Sequence, residues 1–309
     1  MQEPERTTIQ KDVLRLFSEH NNSIRITLKN YTDAIDGGGV LSVRNKPIDC
    51  GVVIAFCTAG VGNRIMTLIG ATYWANKLNC TLKICWDEST CCMCPYEQLF
   101  KNSYNLLISR ETFCQILLDN INEKSIIGTN CSDKINLLTL QNSSLIIYND
   151  STLPYYISHK EANLILNAYK IKDEIIKKVN YFIEKFSVNS STVGLHIRKI
   201  DPPEQRTNRK SLPLSFYKKI INNDKNQKFF ICSDSEEIEN ELKKFKNTCC
   251  YDKSKYPAYN NFKDITYRDM GSVIEGVIDM LILSHTKIHP LCLQLSSFCK
   301  ASKYFSQHD

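Results

Sequence analysis

The stretch VVIAFCTAGVGNRIMTLIGATYWANKLNCTLKICW, residues 52–86, reads as a strand, a glycine-rich loop, a helix and a second strand. Its opening run VVIAF is continuously apolar, which is typical of a strand buried on both faces of a parallel sheet. Residues 63–78 then carry an apolar stripe at helical spacing, and residues 81–86 return to strand composition. This β-α-β unit predicts a doubly wound α/β domain.

The same alternation continues to the end of the chain. The further elements that we predict are a helix at 111–121, a strand at 145–148, a helix at 160–186, a strand at 192–197, a helix at 214–221, a strand at 229–232, helices at 236–245 and 271–284, and a strand at 287–293. Two successive βα series predict two Rossmann-like lobes that face a cleft. We expect a leader at 1–48 with a helix at 9–17, a first lobe at 49–188 and a second lobe at 189–309.

Composition narrows the classes of function. The 309 residues are 42% hydrophobic and carry a formal charge of +6, with 39 cationic and 33 anionic residues. Because the charges are interspersed, they favour an anionic ligand only mildly, and we expect no nucleic acid partner. No apolar run is long enough to cross a bilayer, and the charged first ten residues are unlike a signal peptide, so we expect a cytoplasmic protein. The 14 cysteines are expected to be reduced structural thiols. A metal site at Cys91, Cys92 and Cys94 is the weaker alternative.

The first candidate site is the loop that contains Gly60, Gly62, Asn63 and Arg64. It lies between a strand and a helix, where unpaired N–H groups and the helix dipole favour an anion. The motif lacks the third glycine of the dinucleotide fingerprint and the GK[ST] of a P-loop. Glycines are also common in tight turns for steric reasons alone, so a purely structural role stays open.

The second candidate is GLHIRKID, residues 194–201. Strand alternation places His196 and Arg198 on one face at the carboxyl end of the strand, where open α/β sheets bind ligands. Lys199 and Asp201 follow directly. The alternative is a structural ion pair between Arg198 and Asp201 or another acid.

The remaining candidates are polar residues that follow later strands or interrupt an apolar helix. Ser233 and Asp234 end the strand at 229–232, although helix capping by either of them or by Ser235 would also explain them. Asp279 lies inside an otherwise apolar helix. Ser296 and Ser297 open the last helix, where they would cap it or bind an anion.

These pieces, in this order, resemble the GT-B fucosyltransferases of the α1,6/α1,2/protein-O-fucosyl superfamily over residues 51–305. The stretches that carry the resemblance are GVGNRIMTLIGATYWANKLNCTLKICW, VGLHIRKID, FFICSDSEEI and VIDMLILSHTKIHPLCLQLSSFCK. The HxRxxD piece is the most specific of them. The resemblance implies a metal-independent, inverting transfer of fucose from GDP-fucose to an acceptor hydroxyl. It implies no cofactor, an acceptor side in the first lobe and a nucleotide-sugar side in the second.

The resemblance also implies roles for the candidate residues. Arg198 would neutralise the departing diphosphate, and His196 would contact the nucleotide. The other implied contacts are guanine or ribose for Asp234 and Asp279, phosphate for Ser296 and Ser297, and the first-lobe side of the cleft for Asn63 and Arg64.

The chain departs from the family at two of these positions and leaves the general base open. Lys199 stands where α1,6 enzymes have a second arginine, and Ser235 replaces a second acid. Glu204 and Asp201 are the candidates for the general base. A GT-B enzyme that uses another nucleotide sugar, or a non-catalytic protein that binds a glycan or a partner, are the alternatives.

Overall fold

The computed structural model describes residues 52–86, 88–101, 106–113, 116, 157–199, 212–260 and 265–306, and the backbone alone at 126–130, 144–148, 259–260, 265–266 and 293–295. The predicted leader and its helix at 9–17 lie outside these residues. So do Asp201, Glu204 and most of the predicted helix at 111–121, of which residues 111–113 and 116 are helical.

Two parallel sheets organise the described chain. The first has the strand order β3-β2-β1-β5-β4 and the second has the order β11-β6-β7-β8. The strands of the first sheet are β1 Val52–Cys57, β2 Thr81–Trp86, β3 Leu107–Ile108, β4 Ile126–Asn130 and β5 Ser144–Tyr148; those of the second are β6 Val193–Ile197, β7 Phe229–Ser233, β8 Thr248–Cys250 and β11 Lys287–Ile288. Strands β9 Ala258–Asn260 and β10 Ile265–Tyr267 form a small antiparallel pair. The predicted α/β class with parallel sheets is confirmed.

Helices connect and cover these strands. They are α1 Val61–Leu78, α2 Tyr96–Leu99, α3 His159–Ala168, α4 Asp173–Phe186, α5 Leu214–Asn223, α6 Glu236–Leu242, α7 Met270–Ser284, α8 Pro290–Leu295 and α9 Ser297–Phe305. In the part of the chain that the structure describes, none of these helices combines the length and the apolar character that crossing a membrane requires.

The structure corrects the single long helix predicted at 160–186. Helix α3, which begins with a capping box of Ser158 and Glu161, ends at Ala168, and α4 starts at Asp173. Between them the chain turns to hydrogen-bond with the segment after α2: Lys172 N donates to Leu99 O at 3.0 Å, and a bridge joins residues 100 and 171. Long-range pairing of the main chain therefore overrides the helical periodicity of the segment.

The strand predicted at 287–293 is wrong beyond Ile288. His289 caps a new helix, with its Nδ1 accepting from Leu291 N at 3.4 Å, and Pro290 occupies the first turn of that helix. Proline is favoured at this position because its missing N–H is not needed there.

Helices of one βα series pack against elements of the other. Helix α9, at the end of the second series, packs on α7 but also on α1 and α3 of the first series. Helix α4, which the sequence analysis assigned to the first lobe, packs on α7, and its Phe182 ring meets that of Phe230 at 5.6 Å. The buried core is accordingly continuous between the two sheets.

Candidate active site

A cleft of about 330 Å³ lies at the carboxyl ends of strands from both sheets. The loop after β1 and the first turn of α1 contribute residues 59–63, the end of β6 contributes His196 and Arg198, and the end of β7 contributes Ser233 and Asp234. Nine of the predicted residues therefore come together, as expected for the ligand-binding edge of an open α/β sheet. They are Gly60, Gly62, Asn63, His196, Arg198, Ser233, Asp234, Asp279 and Ser297.

Two helix N-termini meet in this cleft. Gly62, in the first turn of α1, packs so closely on α9 that a Cβ atom on it would lie 2.8 Å from Phe298 N and 2.9 Å from Ser297 C. Both Gly62 and Ser297 line the cleft. Each helix start presents N–H groups without intrahelical partners, so the pair creates one region of positive potential. The sequence had suggested two separate anion sites, and the structure joins them.

The contact between α1 and α9 makes a direct prediction. Gly62→Ala should destabilise the protein by about 1–3 kcal/mol, because its methyl group meets backbone atoms that cannot rotate away. Gly60→Ala is the matched control, since a Cβ on Gly60 meets nothing within 4 Å and its φ of −74° suits any residue. Urea unfolding of both variants measures the difference. Equal stability of the two variants would contradict the close contact.

The structure corrects the prediction for Arg64. Its side chain is fully buried, at 0% exposure, and does not line the cleft. Its guanidinium donates to Ala59 O at 2.8 Å and to Cys57 O at 2.9 Å, and it lies 4.9 Å from the centre of the Trp86 ring. Arg64 therefore holds the loop after β1 in shape instead of reaching a ligand.

At the end of β6, His196 and Arg198 both face the cleft. The His196 ring stacks on Phe298 with 4.7 Å between ring centres. Burial, together with the charges of Arg198, Lys253 and Arg268, lowers the pKa of His196 to about 3. His196 is therefore a neutral ring at physiological pH, suited to hydrogen bonding and stacking instead of to neutralising charge.

Lys199 does not line the cleft and is exposed. Its backbone N donates to Asp234 Oδ1 at 2.7 Å, which ties the ends of β6 and β7 together. Ser233 Oγ strengthens the same tie by donating to Ile197 O at 2.6 Å. Asp234 and Ser233 thus shape the cleft that they line, whereas Lys199 contributes its backbone N–H to this tie and lies outside the lining.

A buried network of charges forms one wall of the cleft. Lys253 Nζ lies 2.7 Å from Asp279 Oδ2 and also pairs with Glu239, and the three side chains are at most 4% exposed. Tyr256 donates its hydroxyl to Glu239 Oε2 at 2.6 Å, and Ser233 N donates to Glu239 Oε1 at 2.7 Å. Burial acts to lower the pKa of Lys253, but the charges of Asp279 and Glu239 outweigh it and raise that pKa. Lys253 is therefore a permanent cation.

The two carboxyl oxygens of Asp279 differ in their partners. Oδ2 is paired with Lys253, whereas Oδ1 is buried with no hydrogen-bond partner among the described residues. Burial raises the pKa of this carboxyl to about 8, against the lowering effect of Lys253. A buried oxygen without a partner costs free energy, which a ligand that donates a hydrogen bond would recover.

Helix α7 runs along the cleft with one face toward it. Ser272, Gly276 and Asp279, at the spacing of one helical face, line the cleft together with Val273. Asp269 caps this helix by accepting from Ser272 N at 2.7 Å. Gly276 exposes no side chain to the cleft, and a Cβ added to it would meet nothing within 4 Å.

Ser296 and Ser297 occupy different environments. Ser297 lines the cleft, whereas Ser296, at 7% exposure, does not and is the N-cap residue of α9 without a side-chain cap. Ser235, which the sequence offered as a possible cap, accepts weakly from Ile238 N at 3.5 Å at the start of α6.

The cysteines that the structure describes are all free thiols, and Cys57, Cys85, Cys92 and Cys94 are buried. Among the same residues, no group of three His, Cys, Asp or Glu side chains is arranged to hold a metal ion.

Sequence reasoning missed three cations of the cleft: Lys253, Lys255 and Arg268. Lys253 and Lys255 follow β8, a strand of three residues that shows no periodicity. The available signal was positional, because β8 carries Lys253 at its carboxyl end as β6 and β7 carry Arg198 and Asp234.

Structural comparison identifies the fold. The chain is similar to the NodZ α-1,6-fucosyltransferase co-crystallised with GDP (TM-score 0.52, 18% identity, 84% of this chain and 93% of that one). It is similarly close to fucosyltransferase NodZ from Bradyrhizobium (TM-score 0.53, 18% identity, 84% and 94%) and to NodZ soaked with GDP-fucose (TM-score 0.51, 17% identity, 84% and 93%). No protein-family model and no curated protein matches the sequence. The GT-B fucosyltransferase fold is confirmed, and at this identity the likeness concerns the fold alone.

Proposed function

We propose that the protein is a glycosyltransferase that moves fucose from GDP-fucose to a hydroxyl of a glycan or another acceptor. The observation that carries the proposal is the convergence of Arg198 with the N-termini of α1 and α9 in one cleft. Such a site suits a diphosphate, because it combines a guanidinium fork with oriented N–H groups. The fold supports this reading.

In the proposed reaction, the acceptor oxygen bonds to the anomeric carbon of fucose as the bond from that carbon to the diphosphate breaks. GDP leaves with the electron pair of the broken bond, and Arg198 stabilises the negative charge that develops on it. The acceptor proton passes to a base. The carboxylates of the cleft that the structure describes, Asp234 and Asp279, are committed to Lys199 N and Lys253. Glu204 and Asp201 therefore remain the proposed candidates for the base.

Asp279 is the proposed reader of the nucleoside. The N–H groups of guanine, or the hydroxyls of ribose, would donate to its Oδ1 atom, which has no such donor among the described residues. The neutral ring of His196, stacked on Phe298, would contact the nucleotide beside it. Asn63 and Gly60 line the cleft from the first sheet, where the acceptor would enter.

The experiment that tests the proposal is a thermal-shift series with GDP, GDP-fucose, GDP-mannose, UDP-sugars and NAD, with and without EDTA. A ligand that binds the folded state alone raises the melting temperature. We expect stabilisation by GDP and GDP-fucose that EDTA does not change, in agreement with the proposed metal independence. Stabilisation by UDP-sugars instead would favour another donor, and no shift from any nucleotide would favour the non-catalytic alternative.

Gly276 gives a second prediction about stability, with the opposite sign to that for Gly62. Gly276→Ala should stabilise the protein by about 0.5–1 kcal/mol, because alanine is the better helix former and its methyl group enters open space. That space is the cleft, so the affinity for GDP should fall in the same variant. Urea unfolding and titration calorimetry measure the two effects. Unchanged GDP affinity would show that the nucleotide does not approach this turn of α7.

A further inference from the structure

One wall of the cleft contains Arg268, a cation that lies outside all of the candidate motifs predicted from the sequence. Arg268 lies between β10 and α7, lines the cleft and is half-buried. It shares the cleft with Arg198, Lys253 and Lys255, whereas the acids there are Asp234 and Asp279. Lys253 is neutralised by its two buried carboxylates. Arg198 and Arg268 are the guanidinium groups of this lining.

The backbone of Arg268 is fixed from both sides by the first βα series. Arg268 N donates to Thr90 O at 2.9 Å, and Met93 N donates to Arg268 O at 2.8 Å. A parallel bridge between Met93 and Asp269 continues this pairing. The loop at 88–94 therefore holds Arg268 in place, and the same loop brings Cys91 to the cleft.

Arg268 lines the same cleft as Arg198 and His196. Its charge, like those of Arg198 and Lys253, contributes to lowering the pKa of His196. Lys199, the residue that follows Arg198, is exposed and does not line the cleft. The second guanidinium of the cleft lining thus comes from a segment about 70 residues further along the chain.

We propose that Arg268 is a second diphosphate-binding residue, which adds a second guanidinium to that of Arg198 from the β10–α7 connection. This inference rests on the proposed function. The main-chain pairing fixes the Cα position from which the Arg268 side chain extends, and its guanidinium presents a planar fork to phosphate oxygens. Because the loop at 88–94 holds the backbone of Arg268, that loop becomes part of the nucleotide site.

The test compares GDP with GMP, which differ by the second phosphate. Calorimetric titration of Arg268→Ala should show GDP binding weakened about 10- to 100-fold, the range for losing a hydrogen bond to a charged group, with a much smaller change for GMP. Arg268→Lys should recover part of the loss, because it keeps the charge and loses the fork. Lys199→Ala should cost less than Arg268→Ala.

The outcomes separate the two proposals. If the wild-type protein binds GDP and Arg268→Ala binds it equally well, or loses GDP and GMP to the same extent, Arg268 is not a diphosphate ligand and the inference is overturned while the proposed function stands. If the wild-type protein does not bind GDP, both are overturned. Melting temperatures of the variants control for folding, and the lysine variant keeps the comparison valid should the alanine variant unfold.

Discussion

Arg198→Ala should lower kcat/KM for fucosyl transfer on the order of 100-fold or more, because it removes a charge aimed at the diphosphate as that group leaves. Arg198 lines the cleft at the end of β6, where it is partly open to solvent. Stability should therefore change little. Steady-state kinetics with GDP-fucose, and urea unfolding of the same preparation, measure the two quantities.

Arg64 provides the contrasting variant. It is fully buried, and its guanidinium donates to the carbonyls of Cys57 and Ala59. Arg64→Met removes the guanidinium that donates to both carbonyls from a fully buried position, so it should lower stability whether or not nucleotide is present. If Arg198→Ala also lost stability and kept its rate, Arg198 would be a structural ion pair, as the alternative from sequence held.

The contrast between the two arginines shows what the sequence predicts and what it does not. Both lie in motifs that follow a buried strand, and local sequence does not distinguish them. Arg198 continues the alternation of β6 and so faces the cleft with His196. Arg64 lies in the first turn of α1, where packing against Trp86 and the loop carbonyls decides its direction. Strand alternation predicts which way a side chain points, whereas the direction of a side chain in the first turn of a helix depends on its tertiary neighbours.

The length of a sequence pattern likewise decides which strands of the fold could be predicted. The apolar strands β1 and β7 were predicted almost to the residue, because burial on both faces leaves a continuous apolar run. Strand β6 was predicted equally closely, although His196 interrupts its apolar run. Strand β8 has three residues and β11 has two, too few for a pattern. Lys253 and Arg268 follow or adjoin such short elements, and the cleft wall that they form was therefore not predicted.

Lys253→Met should destabilise the protein by about 3–5 kcal/mol, the usual cost of removing one partner from a buried group of charges. Lys253, Glu239 and Asp279 are at most 4% exposed, so solvent does not screen their interaction. Without Lys253, two buried carboxylates face each other, and each must take up a proton or be buried as an uncompensated charge. Since the folded state then binds protons that the unfolded state has released, stability falls as pH rises, and the loss should be larger at pH 8 than at pH 5.

Lys255→Met is the matched control, because Lys255 lies two residues away and is exposed, so its replacement should change stability by less than about 0.5 kcal/mol. Adding Glu239→Gln to Lys253→Met should restore part of the loss, because one negative charge is removed. The amide oxygen can still accept from Ser233 N, and the amide NH2 can donate to the Tyr256 hydroxyl, which rotates to accept. Urea unfolding at both pH values measures all three variants. Two results would contradict the stabilising role of the network: a loss of stability below about 1 kcal/mol for Lys253→Met at pH 8, or no recovery of stability in the double variant. The charge of Lys253 would then have to be explained by ligand binding alone.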